Sequence, residues 1–255
     1  MFIIDKLSYQ NRLRQAHPAE KLLFTLGLLS MALLCNSFAL FAAILILTFL
    51  ILWQRAGVPV KYLILLYSLP CLFGFISVLP IVVGITTTPT EYDTFLNFGT
   101  FGLIFPEENL ARGLQLYLRI LTSASSFYLL ILTTPVPDLE YLLRKLRLPS
   151  IITELFLLIY RFIFILMNMA GQILISQRSR LGYRSFSSSW NSFKQLIASL
   201  LARSYIYSQN SYQALLSRGY NGRIHLLDGD YKYSLSNFAW IVFCFISLII
   251  LNYYG

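Results

Sequence analysis

Between Leu22 and Trp53 the chain runs 32 residues without a charge. A single helix of that length would extend about 48 Å, against a hydrocarbon core of about 30 Å. Further apolar runs follow at Tyr62–Ile85, Leu110–Thr134 and Leu235–Tyr254. Runs of this length define an integral membrane protein. In the bilayer every backbone polar group must be satisfied within its own segment, so the spans are helical and the fold class is all-α. Asn36-Ser37 interrupts the first run near its middle, which predicts a tight hairpin of two short helices. Pro70 and Pro80 are expected to kink the second run.

Charge sets the expected topology, because Lys and Arg collect on the cytoplasmic side. Lys6, Arg12, Arg14 and Lys21 place the N-terminus inside, and Arg55 and Lys61 belong on the same side only if the first run crosses twice. The loop Thr86–Asn109 holds Glu91, Asp93, Glu107 and Glu108 but no Lys or Arg, and falls outside. Residues 135–234, with twelve Lys/Arg against five Asp/Glu, return inside. About five crossings result, with the C-terminus outside. The net charge of +9 is accounted for by this asymmetry, so no nucleic-acid partner is needed. The first 21 residues lack the apolar core and cleavage pattern of a signal peptide.

The inside segment opens with "TPVPDLEYLLRKLRLP", in which Leu139, Leu142, Leu143 and Leu146 share a helix face. Asp138 can cap that helix, Glu140 can pair with Arg144, and Pro149 ends it. The next stretch, "SIITELFLLIYRFIFILMNMAGQILIS", is apolar except for Glu154 and Arg161, which lie seven apart and hence on nearly one face. An arginine near a helix centre costs about 2.5–3.5 kcal/mol on insertion, so a half-submerged or packed helix is expected rather than a span. After a Ser-rich hinge, another helix closes at Gly219, with Arg218 in its last turn.

The sequence has no G-x-x-x-x-G-K loop, so the chain cannot cradle ATP by that route. Cys35, Cys71 and Cys244 read as apolar packers, and His17 and His225 have no ligand partners at metal-site spacing. The predicted spans hold no Asp, Glu or His. No catalytic residue and no metal site are assigned. Arg119, the one charge well inside a span, is expected to snorkel or to pair with a carbonyl or a neighbouring helix. "SQRSRLG" and "ALLSRGYNG" each close a helical pattern with a Ser-Arg step and a nearby glycine. Either these are ordinary caps with dipole-complementing cations, or they aim guanidinium forks at carboxylates of a partner.

Together with "HPAEKLL", "VPDLEYLLRKLRLP" and "LIYRFIFIL", these motifs resemble the transmembrane coupling (T) component of energy-coupling factor (ECF) ABC transporters, in its cobalt/nickel (CbiQ/EcfT-type) branch. The resemblance covers almost the whole chain. It implies residues 1–134 as a membrane domain, 135–234 as a cytoplasmic coupling domain of amphipathic helices between the fourth and fifth spans, and 235–255 as the last span. It implies two cytoplasmic ABC-type ATPase subunits and a membrane substrate-capture (S) subunit as partners, in the bacterial plasma (inner) membrane. The chain would bind no cofactor, ATP being used by the partner ATPases, and would itself be no enzyme. Carried over residue by residue, the ATPase-coupling motifs fall on Ser179-Arg180-Leu181 and Ser217-Arg218-Gly219, with Glu154 and Arg161 as helix-positioning residues. Leu181 departs from the family pattern, standing where glycine is common. Cobalt or nickel is the expected cargo; the alternatives are a vitamin-type coupling subunit or a self-sufficient permease.

Overall fold

The computed structural model describes residues 3–82, 84–86, 94–98, 101–104, 107–222 and 235–254. Glu91, Asp93 and His225 lie outside the described residues. In chain order the first helices are α1 (Ile3–Gln10), α2 (Pro18–Leu34), α3 (Phe38–Leu50) and α4 (Val60–Val82). Strands β1 (Gly84–Thr86), β2 (Thr94–Phe98) and β3 (Phe101–Ile104) follow. The remaining helices are α5 (Glu107–Thr133), α6 (Val136–Lys145), α7 (Ser150–Ser179), α8 (Phe186–Ser217) and α9 (Leu235–Tyr254). Two compact units result, one from residues 2–135 and 230–255, the other from 136–229.

In the first unit the uncharged run is two helices. His17 starts α2 as its cap, its Nδ1 accepting from the Ala19 N–H at 3.0 Å, with Pro18 at the first helical position. The chain turns extended at Cys35 and Ser37 before α3 begins. α3 ends in a wider π-type turn, Ile51–Arg55, closed by Ala56 N–H on the Ile51 carbonyl at 2.8 Å.

Cross-helix hydrogen bonds sort the helix ends. Arg12 N–H reaches the Ala56 carbonyl (3.4 Å), Asn11 Nδ2 the Leu132 carbonyl (3.0 Å) and Lys21 Nζ the Thr133 carbonyl (2.9 Å). Asn237 Nδ2 donates to Glu20 Oε2 at 3.4 Å. The N-terminal tail, the end of α3, the end of α5 and the start of α9 therefore share one end of the unit. At the other end Gln115 Nε2 donates to the Asn36 carbonyl (3.1 Å), and Arg119 Nη2 to the Cys35 carbonyl (3.3 Å) and to Asn36 Oδ1. The first run thus folds back on itself at the Asn36-Ser37 break, as a hairpin of two helices. Arg119 is held by the carbonyl end of α2, one of its two expected fates.

Between these ends α4 and α5 lie antiparallel, tied by Tyr128 OH on the Leu66 carbonyl (3.0 Å) and by Tyr67 OH with Ser125 Oγ (2.6 Å). Thr48 on α3 bonds the same Ser125 hydroxyl, so three helices meet at one buried hydroxyl cluster. Phe24 of α2 packs on Trp240 and Phe245 of α9, with centroids 5.9 and 5.7 Å apart. Leu28, Leu40, Phe41, Ile44, Leu52, Leu63 and Leu132 fill the centre. By contrast Ile64, Leu65, Leu69, Leu72 and Phe73 of α4 are 60–64% exposed, an apolar outer surface suited to lipid.

Among the described residues, four segments are long and apolar enough to cross a bilayer: Phe38–Arg55, Val60–Val82, Asn109–Thr133 and Ser150–Ser179; Asn237–Tyr253 is a shorter apolar helix. The molecule is an all-α membrane protein, with one small exception where a plain loop was expected. There β3 pairs antiparallel with both β1 and β2, in the order β1-β3-β2. Main-chain pairing of this kind leaves little trace in so short and irregular a stretch.

In the second unit α6 buries Asp138, Glu140 and Leu142. Burial pushes the Glu140 carboxyl up from its ordinary range, and Arg144 one turn on pulls it part of the way back. Leu146, placed by spacing on the apolar face, is 73% exposed and lies past the end of the helix, where Arg147 takes the left-handed conformation (φ 59°). α7 and α8 form an antiparallel hairpin. Gln177 Nε2 donates to the Ser192 carbonyl (2.9 Å), the Phe162 and Tyr207 rings meet at 5.6 Å, and Tyr220 OH donates to Glu154 Oε2 (3.0 Å). Only Thr153 and Ile173 of α7 and Ser192 of α8 are buried, so both helices keep broad exposed apolar faces.

Candidate functional site

The two Ser-Arg steps have the same backbone. Arg180 has φ −96° and ψ 17°, and Arg218 has φ −97° and ψ 11°. At the first, Leu181 N–H bonds the Arg178 carbonyl (3.0 Å) and Gly182 N–H the Gln177 carbonyl (2.9 Å). At the second, Gly219 N–H bonds the Leu216 carbonyl and Tyr220 N–H the Leu215 carbonyl, each at 3.0 Å. Both are Schellman caps, with the 5→2 and 6→1 bonds in place. The serines match too: Ser179 Oγ donates to the Ile175 carbonyl and Ser217 Oγ to the Gln213 carbonyl, each four residues back at 3.0 Å.

The left-handed position is Gly219 (φ 80°) in one cap and Leu181 (φ 58°) in the other. Leucine there costs about 1–2 kcal/mol relative to glycine. The glycine stands one later for a different reason. A Cβ on Gly182 would lie 2.6 Å from Ser192 Oγ and 2.9 Å from the Gln177 carbonyl oxygen, where α8 crosses the turn. Ser188 and Ser192 hydroxyls both donate to the Gly182 carbonyl, at 2.9 and 2.8 Å. Close approach, not helix termination, claims that glycine.

Each cap is followed by a tyrosine that ties it to α7. Tyr183 OH donates to Gln177 Oε1 (2.8 Å), and Gln177 in turn bonds α8 through Ser192. Tyr220 OH donates to Glu154 Oε2, and that bond raises the tyrosine pKa above its ordinary value, with burial and the carboxylate charge adding to it. Neither tyrosine was singled out from the sequence, although "SRLGY" and "SRGY" repeat the pairing. Arg180, Arg218, Ser179, Ser217 and Gly219 are exposed, and Leu181 is 67% exposed. Because the hairpin is antiparallel, the two arginines stand at its opposite ends. α8 has 32 residues, which places them about 48 Å apart along its axis.

Glu154 and Arg161, predicted to share a face of α7, both address the second cap: Glu154 holds Tyr220, and Arg161 lines a cleft with Arg218. Among the described residues, no group of three or more His, Cys, Asp or Glu is placed to hold a metal ion.

An uncharacterized protein of Methanocaldococcus jannaschii is 30% identical to this chain, over 98% of it and 92% of its own length. A protein of Rhodobacter capsulatus named cobalt transport protein CbiQ is 30% identical over 88% of this chain and 86% of its own. A protein of Methanocorpusculum labreanum named putative fused cobalt transport protein CbiMQ is 28% identical, over 97% of this chain and 41% of that longer protein. The family model described as CbiQ, cobalt transport protein, matches residues 10–226. These similarities and the apolar helices define the class, a multi-pass membrane component of a transport system. Within that class, the chain belongs to the CbiQ family of cobalt transport proteins.

Proposed function

We propose that this chain is the energy-coupling subunit of an ECF-type ABC importer for cobalt (or nickel). It would transmit the ATP-driven motion of two cytoplasmic ATPase subunits to a separate membrane subunit that captures the ion. The observation that carries the reading is the matched pair of caps: two exposed arginines, on the same backbone, at opposite ends of one hairpin. Spacing of about 48 Å suits two separate receiving subunits better than one. A guanidinium fork held by a rigid cap is suited to bidentate carboxylate recognition. The fused relative, named for a CbiM part as well as CbiQ, supports assembly with a second membrane component.

The hairpin would lie on the cytoplasmic side of the plasma membrane, with the N-terminus inside. Support comes from Lys6, Arg12, Arg14, Arg55 and Lys61, which all belong to the same end of the first unit. α7 is apolar enough to span, but its antiparallel partner α8 is not among the span-capable segments. A helix bound along its length to so polar a partner is better placed at the interface. The exposed apolar faces of both helices then provide a sliding surface for lipid and for the capture subunit. Closure of the ATPases would swing the hairpin as one body, its caps kept apart by α8, and tilt that surface.

The test is charge reversal in the co-expressed complex. Arg218→Glu is expected to abolish co-purification of ATPase subunits and ion uptake while leaving membrane insertion intact. Arg180→Glu should act in the same direction. Unchanged uptake and co-purification in both variants would overturn the proposal.

A further inference from the structure

Arg161 has no obvious reason to sit where it does. It interrupts an otherwise apolar stretch of α7, and its side chain is exposed, so the guanidinium stands open to a partner. Among the described residues Arg161 has no carboxylate partner and no hydrogen-bond acceptor. Glu154, one heptad earlier on the same face, is half-buried and has its Oε2 taken by the Tyr220 hydroxyl.

Arg161 opens instead into a cleft of about 330 Å³ between α7 and α8. Arg218 lines the same cleft from the other helix, together with the polar Asn210 and Ser211 and the apolar Phe162 and Leu215. Arg161 and Arg218 are its charged residues, and both are cations. Two guanidiniums around one small cleft repel each other until an anion enters, at which point each strengthens the other's hold on it. The apolar part of the lining favours an anion carried on a side chain, with methylenes to bury, over a free ion.

We infer that Arg161 is a second ATPase-binding residue. Arg161 and Arg218 together clamp a carboxylate side chain of the ATPase subunit seated at that end of the hairpin, while Glu154 holds Tyr220 so that the clamp stays open. The inference rests on the coupling role proposed above and extends it: the second receptor is a two-arginine cleft spanning both helices, not a lone projecting arginine.

The experiment uses the full chain co-expressed with its ATPase and membrane partners, with the photocrosslinking residue p-benzoyl-phenylalanine placed at Leu158, near Arg161, or at Ala214, near Arg218; both line the cleft, so both arginines are kept. Crosslinks from both positions to an ATPase subunit are expected, and Arg161→Gln should weaken ATPase retention about tenfold, as loss of one charge-assisted bond does. Arg161→Gln should also flatten the salt dependence of retention, a readout that loss of packing alone would not move. A crosslink at position 214 without one at 158 overturns this inference and leaves the coupling role standing. Crosslinks at neither position overturn both. A crosslink from position 158 to phospholipid alone assigns the cleft to a lipid headgroup, and equally overturns it.

Discussion

Leu181 occupies a left-handed position at φ 58°, two-thirds exposed, beside the arginine that the first cap presents. Its cap nevertheless closes with the same bonds as the glycine cap at Gly219, so the departure from the family pattern changes strain rather than geometry. Leu181→Gly is expected to stabilise the hairpin by about 1 kcal/mol, the relieved backbone strain less the flexibility that glycine adds to the unfolded chain. Thermal unfolding in detergent reads the effect, and a lowered midpoint would refute the strain assignment. Gly182 should behave oppositely. The sequence marked both arginines, but a nearby glycine in each motif looked like one signal when it was two. At Gly219 backbone conformation is decisive; at Gly182 it is the crossing of α8, which local sequence does not contain.

Among elements, α7 is the spine of the second unit. Near its end Gln177 holds Tyr183 and α8, and near its start Glu154 holds Tyr220, so both caps are referred to one helix. Periodicity placed Glu154 and Arg161 on one face and predicted polar surroundings for it. What fills those surroundings lies 66 positions away, in Tyr220, and no local pattern connects the two. Tyr220→Phe removes the hydroxyl bond while keeping the ring. Backbone amides 215–220 are then expected to exchange with solvent about fivefold faster, corresponding to a hydrogen bond worth about 1 kcal/mol. Exchange at the wild-type rate would mean that the Schellman bonds alone hold the cap. α6 shows the limit of pattern in the other direction: Leu146 fits the apolar face by spacing, but the chain leaves the helix before reaching it.

For the whole molecule, the sorting of helix ends makes a topological prediction. In a variant without Cys35, Cys71 and Cys244, single cysteines at Lys6 and Lys61 should react with a membrane-impermeant thiol reagent from one side only, and one at Ser37 from the other. Labelling of positions 37 and 61 from the same side would break the hairpin reading. The membrane class, the hairpin break at Asn36-Ser37 and the helix ends at Arg180 and Arg218 were legible in the sequence alone. The reason is that the bilayer imposes a length and a polarity that apply residue by residue, whatever the neighbours. The fate of Arg119, bonded across 84 positions to Cys35, was decided only by tertiary structure, as were the Glu154–Tyr220 tie and the meeting of Arg161 with Arg218. Each depends on which helices lie side by side and at what register. Packing of apolar surfaces sets that register, and an uncharged apolar run is compatible with many registers.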